Sequence, residues 1–235
     1  MGANHKKSMK LAIQICSEFE WRATRSIFKI TKDKLRRQPF GDYFEKQIGI
    51  HECVLYESGA TKTRAAAACQ FAIDTWHPDA VVNLGTCGGV SKKVRKLNLI
   101  MAKKTFQYNV TQRFGNPSGH FKKDLETTLD ISWINLTMVP TKIYIGTIAS
   151  ADQDLDDENR MLLQEKKVLA ADWESASIAK ICMLNKIKCL ILRGASDIPG
   201  KSRKSKEDIQ ERDYKKNTLI IMRKLFSIIG QIEVR

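Results

Sequence analysis

Short apolar segments with strand character alternate along this chain with segments of helical periodicity. Continuous apolar strands are typical of a parallel sheet that is covered on both faces. The pattern therefore predicts an α/β fold: a single domain with a central mixed, largely parallel twisted sheet flanked by helices. Predicted strands cover residues 9–16, 44–57 (a hairpin around Gly49), 79–84, 97–108, 142–149, 167–172 and 187–194. Predicted helices cover residues 18–30, 61–76, 156–166, 174–186 and 206–229.

Length and composition agree with an ordinary globular domain. The chain has 235 residues, of which 43% are hydrophobic and 28% charged, so a wholly disordered chain is excluded. We expect a disordered leader over residues 1–8 and one domain over residues 9–235. Six cysteines without a CxxC pair, and an N-terminus without the apolar run of a signal peptide, predict a reduced cytoplasmic protein. No apolar stretch is long enough to span a membrane, so no membrane partner is expected.

The charge balance is less ordinary, with 40 Lys and Arg against 26 Asp and Glu and a net charge of +14. Such an excess raises the prospect of an anionic partner. The densest basic run, residues 201–206, is followed directly by acidic residues, and no fold signature of nucleic-acid recognition accompanies it. A nucleic-acid partner is therefore not expected, although a non-catalytic nucleoside- or nucleic-acid-binding protein remains an alternative.

Chemically capable residues follow four of the predicted strands, and ligands of open α/β sheets bind at the carboxyl ends of strands. One carboxylate at a helix start is usually a cap, and one glycine-rich stretch is usually a turn. Four such sets at one edge of the sheet predict a ligand site. The sets are Ser17, Glu18 and Glu20; a turn of Gly85, Thr86, Cys87, Gly88 and Gly89; Trp173 and Glu174; and Ala195, Ser196 and Asp197.

Two segments carry a family resemblance. VVNLGTCGGV resembles the strand and turn of the nucleoside phosphorylase-type superfamily, which includes nucleosidases and purine and uridine phosphorylases. ADWESASIAKICMLNKIKCLILRGASDIPG is similar to that superfamily's second signature, a Met-Glu-Ser/Ala-Ala helix start followed by a strand and an Arg-x-x-Ser-Asp end. MKLAIQICSEFEW resembles the opening of the 5′-methylthioadenosine/S-adenosylhomocysteine nucleosidases, and GTIASADQDL resembles their Gly-x-x-x-Ser-x-Asp segment at the base pocket. The resemblance covers roughly residues 9–198.

The resemblance implies hydrolysis of the N-glycosidic bond of a purine nucleoside, with release of adenine. Asp197, held by Ser196, would protonate the leaving purine, which requires a raised pKa. Glu20 would activate water, with Glu18 as the alternative, and Glu174 would bind the ribose hydroxyls. The other substrate-binding residues that the resemblance implies are Trp173, Thr86, Cys87, Gly88, Asp154 and Leu155. The family is usually dimeric and needs no cofactor or metal, so a homodimer without either is expected.

Hydrolysis is favoured over phosphorolysis by the residues that this chain has where phosphorylases of the superfamily bind phosphate. Hexameric phosphorylases of the superfamily carry an arginine three residues before the turn's Ser or Thr, where this chain has Asn83. After the first strand the chain has acidic residues, which repel phosphate and suit water activation. Arg22 and Arg64 are basic residues that leave a phosphorylase as an alternative. Cys87 has no histidine nearby in sequence to activate it, so packing is its expected role.

Two departures from the family pattern bear on the substrate. Asp154 stands where nucleosidases usually have an aromatic residue in the base pocket, and Trp173 replaces the usual Met before the ribose-binding Glu. Candidates for the 5′ side of the pocket are Phe106, Phe114 and Pro117. These departures leave a nucleosidase for a different nucleoside open.

Overall fold

The computed structural model describes residues 7–110, 123–137, 139–199 and 207–234. Phe114, Pro117, the basic run at 201–206 and most of the expected leader lie outside the described residues. The strands are β1 (Lys10–Ile15), β2 (Arg36–Gln38), β3 (Gly41–Ile48), β4 (His51–Glu57), β5 (Ala80–Gly89), β6 (Leu99–Gln107), β7 (Glu126–Thr128), β8 (Ile134–Asn135), β9 (Ile143–Ser150), β10 (Ala170–Asp172), β11 (Lys188–Asp197) and β12 (Glu233–Val234). The described helices are α1 (Glu18–Phe28), α2 (Lys62–Trp76), α3 (Asp157–Glu165), α4 (Ser175–Leu184) and α5 (Glu207–Gln231).

One mixed sheet organises the described chain and confirms the predicted α/β class. Its strand order is β10-β9-β6-β11-β5-β1-β4-β3-β2, with β7 paired to β6. The strands β4, β1, β5 and β11 pair in parallel, as do β6, β9 and β10, whereas β11 runs antiparallel to β6. Because β10 also pairs with β5, this half of the sheet closes into a ring that brings β5, β10 and β11 together.

Helices cover both faces of the sheet, as continuous apolar strands require. On one face, α1 and α5 pack over a core that includes Ile13, Leu84 and Leu192. On the other face, α2 and α4 pack together over a second core. The buried residues of α2 are small and follow helical spacing, which lets this helix approach its neighbours closely: they are Ala65, Ala68, Cys69 and Ala72. In the part of the chain that is described, no helix is long and apolar enough to cross a membrane.

Two predicted boundaries are wrong in an informative way. The stretch Gly85–Gly89 is the end of strand β5 rather than a turn, because β11 and β10 pair with it. Residues 195–197 likewise belong to β11, which was expected to end at residue 194. The register of β11 on β5 shifts between Ala195 and Asp197, which makes Ser196 the extra residue of a bulge. Bulges re-aim side chains next to functional sites, and this one lies directly before Asp197.

Candidate active site

Glu20 is a buried carboxylate at the start of α1. Ser17 caps that helix by accepting the Glu20 N–H at 3.3 Å, while Glu20 Oε2 accepts the Ser17 N–H at 3.2 Å. This reciprocal capping box turns the Glu20 side chain back toward the sheet. Glu18 is instead exposed and paired with Arg22 on the helix surface. Of the two glutamates named from the sequence, the structure therefore brings Glu20 into the site and leaves Glu18 outside it.

Thr86 of β5 holds the other carboxylate oxygen of Glu20. Glu20 Oε1 accepts hydrogen bonds from the Thr86 backbone N–H at 2.6 Å and from Thr86 Oγ1 at 2.8 Å. These donors satisfy Oε1 and fix the orientation of the carboxylate plane. Among the described residues, the donor to Oε2 is the Ser17 N–H at the longer distance of 3.2 Å, so Oε2 retains capacity to accept a further hydrogen bond.

Gly85 leaves open the space that the ends of the Glu20 and Arg193 side chains occupy. A Cβ atom at this position would overlap the Arg193 guanidinium and lie 2.7 Å from Glu20 Oε1. Any side chain here would thus displace both charged groups. The glycine serves this close approach of side chains rather than the flexibility of a turn.

Arg193 of β11 is a buried cation surrounded by carboxylates. Its Nε lies 2.9 Å from Asp172 Oδ2, and its Nη2 lies 3.3 Å from Glu174 Oε2 and 2.7 Å from Asn83 Oδ1. The carboxylates raise its pKa against the opposing effect of burial, Asp172 contributing more than Glu174. Arg193 is therefore held as a cation, with Asp172 as its principal partner.

Glu174 lies at the N-terminal end of α4, beside Arg193. Burial raises the pKa of its carboxyl to about 8; Arg193 opposes this rise, while Asp172 and Glu20 add to it. Three carboxylates face one guanidinium here, so a proton on Glu174 reduces the excess negative charge. The Thr61 backbone, close to the carboxyl, also lowers the pKa of Glu174. Thr61 has φ 81°, a left-handed value that is unusual for a β-branched residue.

The residues of the Ser-x-Asp segment hold helices in place. Ser150 Oγ donates to Asp172 Oδ1 at 2.6 Å and accepts the Ala176 N–H of α4 at 2.9 Å. Asp152 accepts the Lys62 N–H at the start of α2 at 2.7 Å. This segment therefore fixes the N-termini of the two helices that lie next to Glu174.

Asp197 stands at the end of β11, where it keeps contact with solvent. Ser196 Oγ donates to Asp197 Oδ1 at 2.7 Å, and Asn217 of α5 anchors the bulge by donating to the Ser196 carbonyl at 2.9 Å. The protein packed around the carboxyl raises the pKa of Asp197; the hydrogen bond from Ser196 and the charge of Lys96 partly oppose this. The shift has the direction that a general acid requires.

Cys87 and Gly88 belong to the end of β5, and Gly88 lies opposite Asp197. The Cys87 carbonyl lies 3.3 Å from Ser196 Oγ, and burial raises the pKa of the Cys87 thiol well above its usual value. A thiol that keeps its proton is a poor nucleophile. A Cβ at Gly88 would lie 2.8 Å from Pro199, so only glycine lets the segment after Asp197 pack this closely on β5.

Asp154, Leu155 and Trp173 lie at the outer side of the site. Asp154 is exposed, and its charge raises the pKa of both Asp197 and Tyr108, which places its carboxylate near both. Leu155 packs on a small core together with Tyr108 and Phe106. Trp173 is 36% exposed beside buried Glu174. Tyr108 thus supplies an aromatic ring close to the position where the sequence has Asp154.

Sequence reasoning missed several residues of this site. Asp172 and Arg193 lie inside the second signature but were given no role, although a buried Asp before a helix and an Arg inside an apolar strand are signals in themselves. Tyr214, whose hydroxyl lies 2.9 Å from Thr86 Oγ1, has no sequence signal, since it sits on a charged stretch of the last helix. Among the described residues, no group of three or more His, Cys, Asp or Glu side chains is arranged to hold a metal ion.

The fold and the site together define a protein of the nucleoside phosphorylase type. The sequence model of the phosphorylase superfamily matches residues 17–227, and the chain belongs to that superfamily. Among curated proteins it is similar to the 5′-methylthioadenosine/S-adenosylhomocysteine nucleosidase of Bacillus cytotoxicus, with 28% identity over 192 residues, 74% of this chain and 82% of that one.

Solved structures with the same fold include two enzymes of different names. One is the 5′-methylthioadenosine/S-adenosylhomocysteine nucleosidase of Campylobacter jejuni, with a TM-score of 0.77 and 19% identity over 95% of this chain and 99% of that one. The other is the futalosine hydrolase of Helicobacter pylori, with a TM-score of 0.80 and 19% identity over 94% of this chain and 97% of that one.

Proposed function

We propose that this protein hydrolyses the N-glycosidic bond of a purine nucleoside, with 5′-methylthioadenosine and S-adenosylhomocysteine as the preferred substrates and adenine as the released base. The observation that carries the proposal is the placement of three carboxylates along the end of β5. Glu20 is bonded to Thr86, Glu174 to Arg193, and Asp197 lies opposite Gly88. The names of the relatives support the substrate class.

Asp197 is the proposed general acid. Breaking the bond leaves negative charge on the purine, and a protonated carboxyl next to the base neutralises it. The raised pKa of Asp197 keeps the acid form available at higher pH than an ordinary Asp. Ser196 and the bulge that Asn217 anchors hold the carboxyl at the edge of the strand.

Glu20 is the proposed general base, and Glu174 the proposed ribose ligand. Because Glu20 Oε1 is occupied by the two donors of Thr86, Oε2 is the oxygen that would accept a proton from water. Glu174 is held by Arg193, and its carboxyl can donate as well as accept when it is protonated. Fixing the ribose by its hydroxyls orients the anomeric carbon for attack.

Hydrolysis is favoured over phosphorolysis because the arginines that could bind phosphate are already paired with other groups of the protein. Arg193 is paired with Asp172 and Glu174 and is not free to bind phosphate. Arg22 pairs with Glu18 on the surface, and Arg64 donates to the carbonyls of Ser58 and Phe40. Arg22 and Arg64 were the arginines that kept a phosphorylase open as an alternative. Their pairing elsewhere therefore gives no support to a phosphate site.

A second candidate is hydrolysis of a nucleoside with a different base or 5′ group. The observation that favours it is Asp154, an exposed carboxylate near Asp197 where the resemblance leads one to expect an aromatic ring. A carboxylate at the base side would accept hydrogen bonds from an amino group on the base.

The test is base release followed by chromatography. Methylthioadenosine, S-adenosylhomocysteine, adenosine and inosine are each incubated with the protein, with and without phosphate. We expect phosphate-independent adenine from the two 5′-thio substrates, and none from a Glu174→Ala variant with an unchanged circular dichroism spectrum. Release only with phosphate would establish a phosphorylase, and release from adenosine or inosine alone would establish the second candidate.

The proposal extends to assembly and compartment. Large apolar side chains remain at least one-third exposed on the described surface and suit a homodimer contact: Val110, Ile145, Met161, Leu162, Trp173, Met183 and Leu184.

All six cysteines are free thiols, in keeping with the cytoplasm. One domain would span residues 9–235. Sedimentation of a monomer at all concentrations would contradict the dimer.

A further inference from the structure

Tyr214 of α5 reaches the Glu20 end of the site. Its hydroxyl lies 2.9 Å from Thr86 Oγ1, and its ring makes an edge contact with Phe19, with the centroids 5.6 Å apart. Thr86 and Phe19 thus hold the side chain next to Glu20, although none of the sequence motifs includes Tyr214.

The direction of the Tyr214–Thr86 hydrogen bond follows from proton counting. In its proposed role as general base Glu20 is a carboxylate and can only accept, so the single hydroxyl proton of Thr86 is donated to Glu20 Oε1 at 2.8 Å. Thr86 Oγ1 must then accept from Tyr214. Burial, followed by the charge of Glu20, raises the pKa of Tyr214 to about 12, so the phenol keeps the proton that it donates.

The hydrogen bonds form a chain. Tyr214 donates to Thr86 Oγ1 at 2.9 Å, and Thr86 donates to Glu20 Oε1 at 2.8 Å. Hydrogen bonds in such a chain polarise one another, so each strengthens the next. Without the Tyr214 hydroxyl, the Thr86 hydroxyl loses its donor and is free to rotate away from Glu20.

We propose that Tyr214 is a positioning residue for the reaction: it orients the Thr86 hydroxyl onto Glu20 Oε1 and so leaves Oε2 directed at the attacking water. This inference rests on the proposed hydrolytic function. Tyr214 acts through Thr86 and is not assigned a contact with the substrate. Its effect should therefore fall on the rate of the chemical step rather than on binding.

The first test is Tyr214→Phe, which removes only the hydroxyl oxygen. With 5′-methylthioadenosine as substrate we expect kcat to fall about two- to tenfold, as for one lost hydrogen bond, with KM unchanged. The matched control is Tyr43→Phe on β3, whose ring packs on Trp76 away from the site and which should leave both constants unchanged. A Tyr214→Phe enzyme with wild-type kcat, or one changed only in KM, would overturn the inference.

The second test is a double-mutant cycle with Thr86→Val. Because Tyr214 acts through the Thr86 hydroxyl, Tyr214→Phe should have no further effect on kcat in the Thr86→Val background. An equal loss in both backgrounds would show that Tyr214 acts by another route and would refute the positioning role. Absence of base release by the wild-type protein would refute the proposed function itself, and the positioning role with it.

Discussion

The Arg193 guanidinium lies 2.9 Å from the Asp172 carboxylate, at the centre of the sheet's functional edge, and each side chain is at most 3% exposed. Asp172 also accepts the backbone N–H groups of Glu174 and Ser175 at the start of α4. The ion pair therefore joins strand β11 to the helix that carries Glu174. One buried contact supports both the fold and the orientation of Glu174, the proposed ribose ligand.

Replacing Arg193 by Met should strongly destabilise the protein. Met has a similar length but leaves Asp172 and Glu174 buried without a cation, a change that costs about 3–5 kcal/mol. Arg37→Met is the matched control, because Arg37 pairs with Asp42 while 86% exposed and should stay close to wild type. Urea denaturation measures both. Equal unfolding midpoints for the two variants would show that the buried carboxylates do not need this cation.

Base release should fall as pH rises through the pKa of Asp197. In its proposed role Asp197 acts in the protonated form. The protein packed around the carboxyl raises its pKa, so we expect activity to persist above the pH at which a fully solvated Asp would already be ionised. Asp197→Asn should lower kcat about 10²- to 10⁴-fold and remove this limb of the pH profile. Asp130→Asn, at an exposed loop, is the control. A high-pH limb that survives in Asp197→Asn would assign the titration to another group.

Gly85→Ala should abolish activity, because the new methyl group would overlap the Arg193 guanidinium and crowd Glu20. Gly230→Ala in α5 is the matched control: its Cβ would meet nothing closer than 3.8 Å, and alanine favours a helix by about 1 kcal/mol over glycine. Thermal unfolding and base release are measured for both. Full activity in Gly85→Ala would mean that Glu20 and Arg193 do not need this close approach.

Thr61→Gly should stabilise the protein by about 1 kcal/mol, since a β-branched residue at φ 81° is strained and glycine is not. Activity should persist, because the substitution removes no side chain that contacts Glu20, Glu174 or Asp197 and keeps the Thr61 backbone close to Glu174. Thr31→Gly is the comparison, as Thr31 has an ordinary φ of −86° and should gain nothing. Denaturant unfolding that ranks the two variants in the opposite order would exclude strain at Thr61.

The pattern of the sequence predicted the main elements because their signals are local. The alanine-rich segment expected at residues 61–76 is the helix Lys62–Trp76, and the run expected at 187–194 lies within Lys188–Asp197. The two- and three-residue strands β2, β7, β8 and β12 were not predicted. Their pairing partners stabilise them, and segments of that length have no periodicity of their own.

The glycines at residues 85–89 show where local reasoning fails. In isolation they favour a turn, but strands β11 and β10 impose an extended conformation on them. Gly85 and Gly88 are explained by side chains distant in sequence, Arg193 and Pro199, that fill the space above them. The sequence analysis correctly marked this glycine-rich stretch as part of the site. The physical reason for the glycines is the tertiary packing of Arg193 and Pro199 against them.

The sequence by itself determined the alternation of strands and helices and the superfamily, because apolar periodicity and contiguous motifs are written along the chain. It also brought Glu20, Glu174 and Asp197 forward as candidates. Only the tertiary structure decided how these groups are held. The Thr86–Tyr214 bond and the pairing of Arg193 with Asp172 join residues 128 and 21 positions apart. Such contacts depend on how helices pack on the sheet, and no local pattern encodes that geometry.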